Sequence, residues 1–600
     1  MKSNDVSPTN KQKMISDGKV DIRNKTTKEK LSYFSVIIFC IGSCIGAGIF
    51  FKNSEILDNT GGNVYLMYLA WTIAIIGVVM IGFTLKELSS KAVKYGSLGY
   101  VGWVRYFCGE KLYRGCRNFL IYIYLTTNFF LLPYYSVQAL QDAVGVLLYG
   151  GQDPTPWRIP TYGMILISFL IMFYLTFSSS ISIKTANFQS LCLTFLKFIP
   201  LMFAAVGGIV LFALHKTAGN TSLAALSDSG PKKFTGLSPA LGVFASIPAI
   251  FFAFDGFYTA SASFDKMKNP KKGSLAIALG IAVVSFVYIF VSLGIWLATR
   301  NATNNAGTII AFAGLFDGAL WWRLIIFVVL LCIVFAVFGI INGFGLYGSE
   351  IIGEEVKNGQ LPFSSFFKRK FDWSKRLGVT VYSVSMYIIF FVILTFISFA
   401  WTAGSDAQYG SINGKILNLC DLIANWSALF AFVFIALAIL FCLIQKLRAT
   451  NISQKFIVKK QQFIFKKKRT KKWVFLSVIT LGLFPLIYYW MKKKTKMWIF
   501  LSIITLGLFP LIYRCIKSDN KFYCFAATIA VLLVGVALVY QMVDSFYDLL
   551  SSIVYYSSHS SDSIMDYLIP NVIKAVLFLV CVFFSFIQPY ILNKKVVATH

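Results

Sequence analysis

The chain is a succession of apolar runs, each about the 20 residues that a bilayer core demands of a helix, separated by shorter polar stretches rich in Lys. The pattern predicts membrane helices over 32–51, 64–85, 118–148, 161–180, 185–214, 239–264, 274–299, 321–349, 377–400, 416–445, 522–547 and 567–592. An even number of crossings returns both termini to the same side. Residues 1–31 are polar and basic without an apolar core, which reads as a cytoplasmic tail rather than a leader. Residues 593–600 form a second, short tail.

One stretch departs from the pattern. Residues 472–491 recur almost verbatim at 496–513, each unit carrying LGLFPLIY with its proline at Pro485 or Pro510. Lysine clusters flank both units, and two simple crossings would strand Lys492 to Lys496 on the far side. The expectation is therefore a Lys-rich cytoplasmic insert over 446–521 holding two re-entrant or interfacial segments.

Composition supports the membrane reading. The chain is 57% hydrophobic and 14% charged, whereas soluble proteins carry about 25% charged residues. The net charge of +31 does not point to nucleic acid here. Most Lys and Arg fall in stretches that are cytoplasmic if the N-terminus is inside, where they would face anionic lipid. A multi-pass plasma membrane protein with both termini in the cytoplasm follows. The eleven Cys show no paired spacing, so neither a disulfide framework nor a metal site is expected. The three His sit at segment ends or the terminus. An enzyme is not expected, nor is any cofactor.

Two spans carry chemistry. The first is interrupted by Ile41-Gly42-Ser43-Cys44-Ile45-Gly46-Ala47-Gly48. Each glycine weakens a helix by about 1 kcal/mol relative to Ala, and a break at membrane depth survives only where freed backbone groups face protein, water or a ligand. Small residues that merely let helices pack closely would look the same. The sixth span holds Phe252-Ala253-Phe254-Asp255-Gly256-Phe257, with a carboxylate where lipid would penalise it by several kcal/mol. Interruptions in the first and sixth spans occupy corresponding places in two five-helix halves, which points to a transporter binding site.

These residues resemble the amino acid–polyamine–organocation permeases. IGSCIGAGIF at 41–50 is similar to that family's first-helix signature. Lys86-Glu87-Leu88-Ser89-Ser90 with Tyr95 to Tyr100 resembles the end of its second helix and the following loop. FFAFDGFYTASASFDKMKNPKK at 251–272 resembles its sixth helix, and Ser349-Glu350 through Leu361-Pro362 the loop after its eighth. The resemblance covers roughly 30–445. It implies an all-α integral membrane protein of the LeuT type: a ten-helix core of two inverted repeats over 32–445, helices 1 and 6 discontinuous, and two further helices over 522–592.

It also implies roles. Backbone amides of Gly46, Ala47 and Gly48 would hold an amino acid's carboxylate, and carbonyls of Ile41, Phe252, Ala253 and Asp255 its ammonium. Phe254 or Phe257 would gate the site. Gly42, Ser43, Cys44 and Gly256 complete the two breaks. Asp255 replaces an apolar residue of many members, and would either select a cationic or hydroxylated side chain or pair with a neighbour. Lys197, deep in the fifth span, would stand where sodium stands in sodium-coupled relatives and could couple a proton to opening; sodium itself is not expected. Asn128, Asn342 and Asn425 fit ordinary interhelical hydrogen bonds better than a path lining, Lys574 could snorkel, and Glu87 reads as a structural or gating contact. The expected activity is secondary amino acid transport by alternating access, driven by a proton gradient. Exchange, polyamine or organic cation transport, and a membrane scaffold acting through the basic insert are the alternatives.

Overall fold

A computed structural model describes residues 32–91, 99–150, 157–214, 239–258, 272–299, 309–370, 376–401, 410–457, 521–558 and 564–591. The regular structure within them is helical, because in lipid each backbone group must be satisfied within its own segment. The first expected span is two helices, α1 (Tyr33–Cys44) and α2 (Ala47–Asn59), bent by 48° across Ile45-Gly46. Then follow α3 (Val64–Lys91), α4 (Tyr100–Cys108) and α5 (Glu110–Phe119). A π-helical segment, Leu120–Leu125, joins α5 to α6 (Thr126–Tyr149). Next come α7 (Thr161–Ile181), α8 (Ile183–Met202) and α9 (Gly208–Ala213).

The sixth span is short. Helix α10 (Pro239–Ala245) leads across Ser246 into α11 (Ile247–Phe254), which stops at Asp255-Gly256. Gly256 has φ +98°, a backbone that a side chain would strain. The rest of the expected span, from 259 on, lies outside the described residues, as do the two repeated segments of the insert. Beyond the break stand α12 (Gly273–Thr299), α13 (Leu320–Lys357), α14 (Ser364–Lys370), α15 (Leu377–Ala400) and α16 (Ser411–Ile457). The C-terminal part is α17 (Lys521–Ser558), α18 (Ile564–Val582) and α19 (Gln588–Ile591).

Among the described residues nine helices are long and apolar enough to cross a bilayer, ten with the bent α1–α2 pair. The other two expected spans are the π-interrupted α5–α6 and the short apolar α10–α11. Helix α16 is the hub: 89% of its apolar window is buried, so it is solvated by protein rather than lipid. It runs on to Ile457, past the boundary at 445 that hydropathy predicts. Phe251 of α11 stacks on its Phe432 with ring centroids 4.2 Å apart.

One polar expectation changes. Lys574 does not snorkel. It donates to Asp544 at 2.7 Å and Asp548 at 2.6 Å, because α17 presents both carboxylates one turn apart to the face of α18. Asn342 does make the expected interhelical bonds, to the Ala186 carbonyl and the Ser190 hydroxyl, and Glu87 accepts from Lys446 at 2.9 Å.

Replacing Lys574→Met leaves two carboxylates facing each other between helices. The groups are partly exposed, so the expected loss is about 1–3 kcal/mol, read as a lower melting temperature of the detergent-solubilised protein. Adding Asp544→Asn and Asp548→Asn to that variant should recover most of it; no recovery would mean that Lys574 packs rather than pairs.

Candidate functional site

The two breaks meet. A Cβ on Gly48 would lie 2.3 Å from the Cα of Ala253, and one on Gly256 would lie 2.7 Å from the carbonyl oxygen of Ser43. Backbone therefore touches backbone between α1–α2 and α11, and glycine at these positions is a packing requirement. Tyr288 of α12 fastens the junction, its hydroxyl 2.9 Å from the carbonyl oxygens of both Cys44 and Ala253.

A narrow cavity of about 20 Å³ lies at this junction, room for a water rather than for an amino acid while the breaks stand this close. Ser43, Cys44, Gly46, Ala47 and Gly48 line it from the first break, and Phe252 and Asp255 from the second. Asn128 and Leu132 of α6 and Ile340 and Phe344 of α13 close the far wall. Helix α2 starts on this cavity, and no side chain caps its N-terminus. The first N–H groups of a helix have no intrahelical acceptor, so this end offers donors and partial positive charge to a small anion. Asn128 donates to the Tyr124 carbonyl at 2.8 Å, while its buried Oδ1 has no hydrogen-bond partner. The structure thus puts Asn128 at the cavity, whereas its sequence context favoured an interhelical bond.

Asp255 is held by hydroxyls. Tyr124 donates to its Oδ2 at 2.7 Å, Tyr258 to its Oδ1 at 2.8 Å, and the Gly256 N–H to Oδ1 at 3.0 Å. Of the two roles open to this residue the structure shows pairing with neighbours, and Asp255 also lines the cavity. Lys197 is buried and donates to the Gly42 carbonyl at 3.1 Å, so α8 is tied to the last turn of α1.

Several expected site residues lie beside the cavity rather than on it. The Ile41 carbonyl accepts the Ile45 N–H within α1, and the carbonyls of Gly42 and Ala253 accept from Lys197 and Tyr288. The Phe252 carbonyl accepts the Asp255 N–H at 3.2 Å. Neither Phe254 nor Phe257 lines the cavity: Phe254 packs on Trp71 and Tyr288, and Phe257 on Tyr258 and Phe432. The helical turn instead aims Phe252 at the cavity, edge-on to Tyr135.

The main feature that sequence reasoning missed is Lys52. It stands just past the end of the first expected span, where a charge is ordinary, yet it is 0% exposed. It donates to Glu55 at 2.7 Å and, across to α16, to Asp421 at 2.6 Å. Tyr135 also donates to Asp421, and Asn425 to Glu55. The Lys52 ammonium stands 5.6 Å over the Phe252 ring, so this cluster roofs the cavity. Its sequence signal was Lys52 and Glu55 one helical turn apart with Asp421 inside an apolar run.

A sequence profile described as amino acid permease matches residues 31–509. The chain belongs to that family. It is a transporter rather than an enzyme, built on several membrane-crossing helices. An uncharacterized protein of Mycoplasma pneumoniae is 30% identical over 448 residues, covering 69% of this chain and 78% of the relative. The serine/threonine exchanger SteT of Bacillus subtilis is 25% identical over 353 residues, covering 56% of this permease and 70% of SteT. The solved structure of MhsT in complex with L-phenylalanine aligns with 86% of the chain and 100% of its own, at 14% identity and a TM-score of 0.46.

The junction predicts unequal tolerance of two glycines. In Gly46→Ala the new methyl meets the flexible tip of Ile340, whereas in Gly48→Ala it meets the Ala253 backbone. Gly48→Ala should lower the melting temperature clearly more than Gly46→Ala, since overpacking against backbone costs about 1–3 kcal/mol. Equal melting temperatures would show that the two breaks are not in contact.

Proposed function

We propose that this permease carries a small, neutral amino acid of the serine or threonine kind by alternating access, with proton movement coupled to the cycle. The observation that carries the reading is the narrow cavity between an uncapped helix N-terminus and a polar wall. The substrate carboxylate would take the amides of Gly46, Ala47 and Gly48. Its ammonium would lie toward Asp255, and a hydroxyl would reach the open acceptor of Asn128. Phe252, Leu132, Ile340 and Phe344 would have to part to admit even a small side chain, and further for a long one. SteT's name as a serine/threonine exchanger supports the same substrate class.

Alternating access then has identifiable parts. With the termini in the cytoplasm, the Lys52–Glu55–Asp421 roof lies on the outer side, and opening outward separates α2 from α16. Lys197 holds the α1 end of the break through one carbonyl, and gaining or losing its proton would tighten or release that hold. The kinship with SteT also favours a second reading, exchange of one amino acid for another.

Uptake of labelled serine, threonine, phenylalanine and lysine into proteoliposomes decides between these. Serine or threonine accumulation that follows an inward proton gradient and is lost in Lys197→Ala is the expected result. Uptake that requires internal amino acid regardless of gradient would make the protein an exchanger. Lysine or phenylalanine transported in preference to serine would overturn the substrate assignment.

A further inference from the structure

Four oxygens at the second break, the two of the Asp255 carboxyl and the phenol oxygens of Tyr258 and Tyr124, are linked by three short contacts. Besides the two bonds to Asp255, the hydroxyls of Tyr258 and Tyr124 lie 2.8 Å from each other. Three oxygen–oxygen contacts of hydrogen-bond length are best satisfied by three protons, because one hydroxyl shared between two acceptors makes two weaker bonds. A tyrosine brings one hydroxyl proton and an ionised carboxylate none, so the two tyrosines supply two. If both point at Asp255, the tyrosine–tyrosine contact has none. One proton on the carboxyl closes the ring: Asp255 donates to one tyrosine, that tyrosine to the other, and the second back to the free carboxyl oxygen.

The surroundings favour this form. Asp255 is 8% exposed and makes no ion pair among the described residues. Among the described residues the titratable groups that face the ring are Tyr100 of α4, Tyr347 of α13 and Cys44 of α1, none of them a cation. Lys197 bonds to the other side of the first break and does not touch the ring. A lone carboxylate without a cation is costly at such depth, and a proton removes that cost.

We infer that Asp255, Tyr124 and Tyr258 form a proton-binding site in which one proton closes a ring of three hydrogen bonds between the π-helical segment of the third span and the broken sixth. The ring joins two elements that need not move together: Tyr124 belongs to Leu120–Leu125, and Asp255 and Tyr258 to the break after α11. Loss of the proton leaves one contact without a hydrogen and drives the two hydroxyls apart. The site thus converts proton occupancy into separation at the wall of the substrate cavity. This rests on the proton-coupled reading above and adds a second titrating group, on a different helix from Lys197.

Infrared difference spectra of the full chain in lipid, without substrate or gradient, test it. Between about pH 5 and 9 the wild type should show the carbonyl stretch of a protonated carboxyl group falling as pH rises. The band should be absent from Asp255→Asn, whose amide can both donate and accept in the same place. Tyr258→Phe, which keeps the ring packing, should move the band's midpoint by about one pH unit. Identical wild-type and Asp255→Asn spectra would overturn the inference, as would an unmoved midpoint in Tyr258→Phe. Because the spectra need no transport, they read this site whatever the substrate proves to be. Proton-driven serine uptake with no Asp255 band would sink the inference and leave the transport reading standing.

Discussion

Everything in this molecule is arranged around two helices that stop at membrane depth and lean on each other. Hydrocarbon offers no partner to a loose N–H or C=O, so a break can exist only where another break, a side chain or a ligand completes it. Gly48 against Ala253 and Gly256 against Ser43 bring the two chain interruptions into contact. The Tyr288 hydroxyl covers a carbonyl from each side, and Lys197 takes Gly42. Among the described residues the start of α2 is left without a side-chain cap, and that end is the surface proposed above to take the substrate. The cavity is small because the breaks must stay close enough to satisfy one another.

Charges follow the same rule. Lys52 and Lys574 are each surrounded by two carboxylates, and each cluster ties two helices together: α2 to α16 and α17 to α18. Arg117 and Glu355 do the same between α5 and α13 at 3.1 Å. These pairs hold position because removing either partner would strand the other. Lys197 and Asp255 differ in having no counter-charge among the described residues. Among the described residues a backbone carbonyl holds Lys197, and phenol hydroxyls with one backbone N–H hold Asp255, and such partners tolerate a change of protonation state far better than an ion pair does.

Much of this was legible in the sequence, for reasons that differ by residue. The spans were readable from length and hydropathy, and the first break from its glycines, because both signals are local. Asp255 stood out because a carboxylate in an apolar run has no bland explanation. Lys52 did not, since a lysine at the end of a span is ordinary and its partner Asp421 lies far along the chain. The orientation of the phenylalanines was likewise hidden. Whether Phe252, Phe254 or Phe257 faces the cavity depends on the rotation of α11, which the stacking of Phe251 on Phe432 sets. Tyr124 was invisible for a related reason: nothing local marks a π segment.

That segment deserves its place at the site. A π turn inserts one residue into a helix and shifts the faces on either side of it, and such turns recur where a helix must serve a function as well as pack. Here Leu120–Leu125 sits between the stretch that carries Cys116 into the core and the stretch that presents Asn128 and Leu132 to the cavity. The Asn128 amide then bonds back to the Tyr124 carbonyl, while the Tyr124 hydroxyl reaches Asp255. One irregular turn therefore joins the wall of the cavity to the oxygens around Asp255. A displacement at either would be felt at the other through a single residue, which is the link that the proposed coupling of substrate to proton would use.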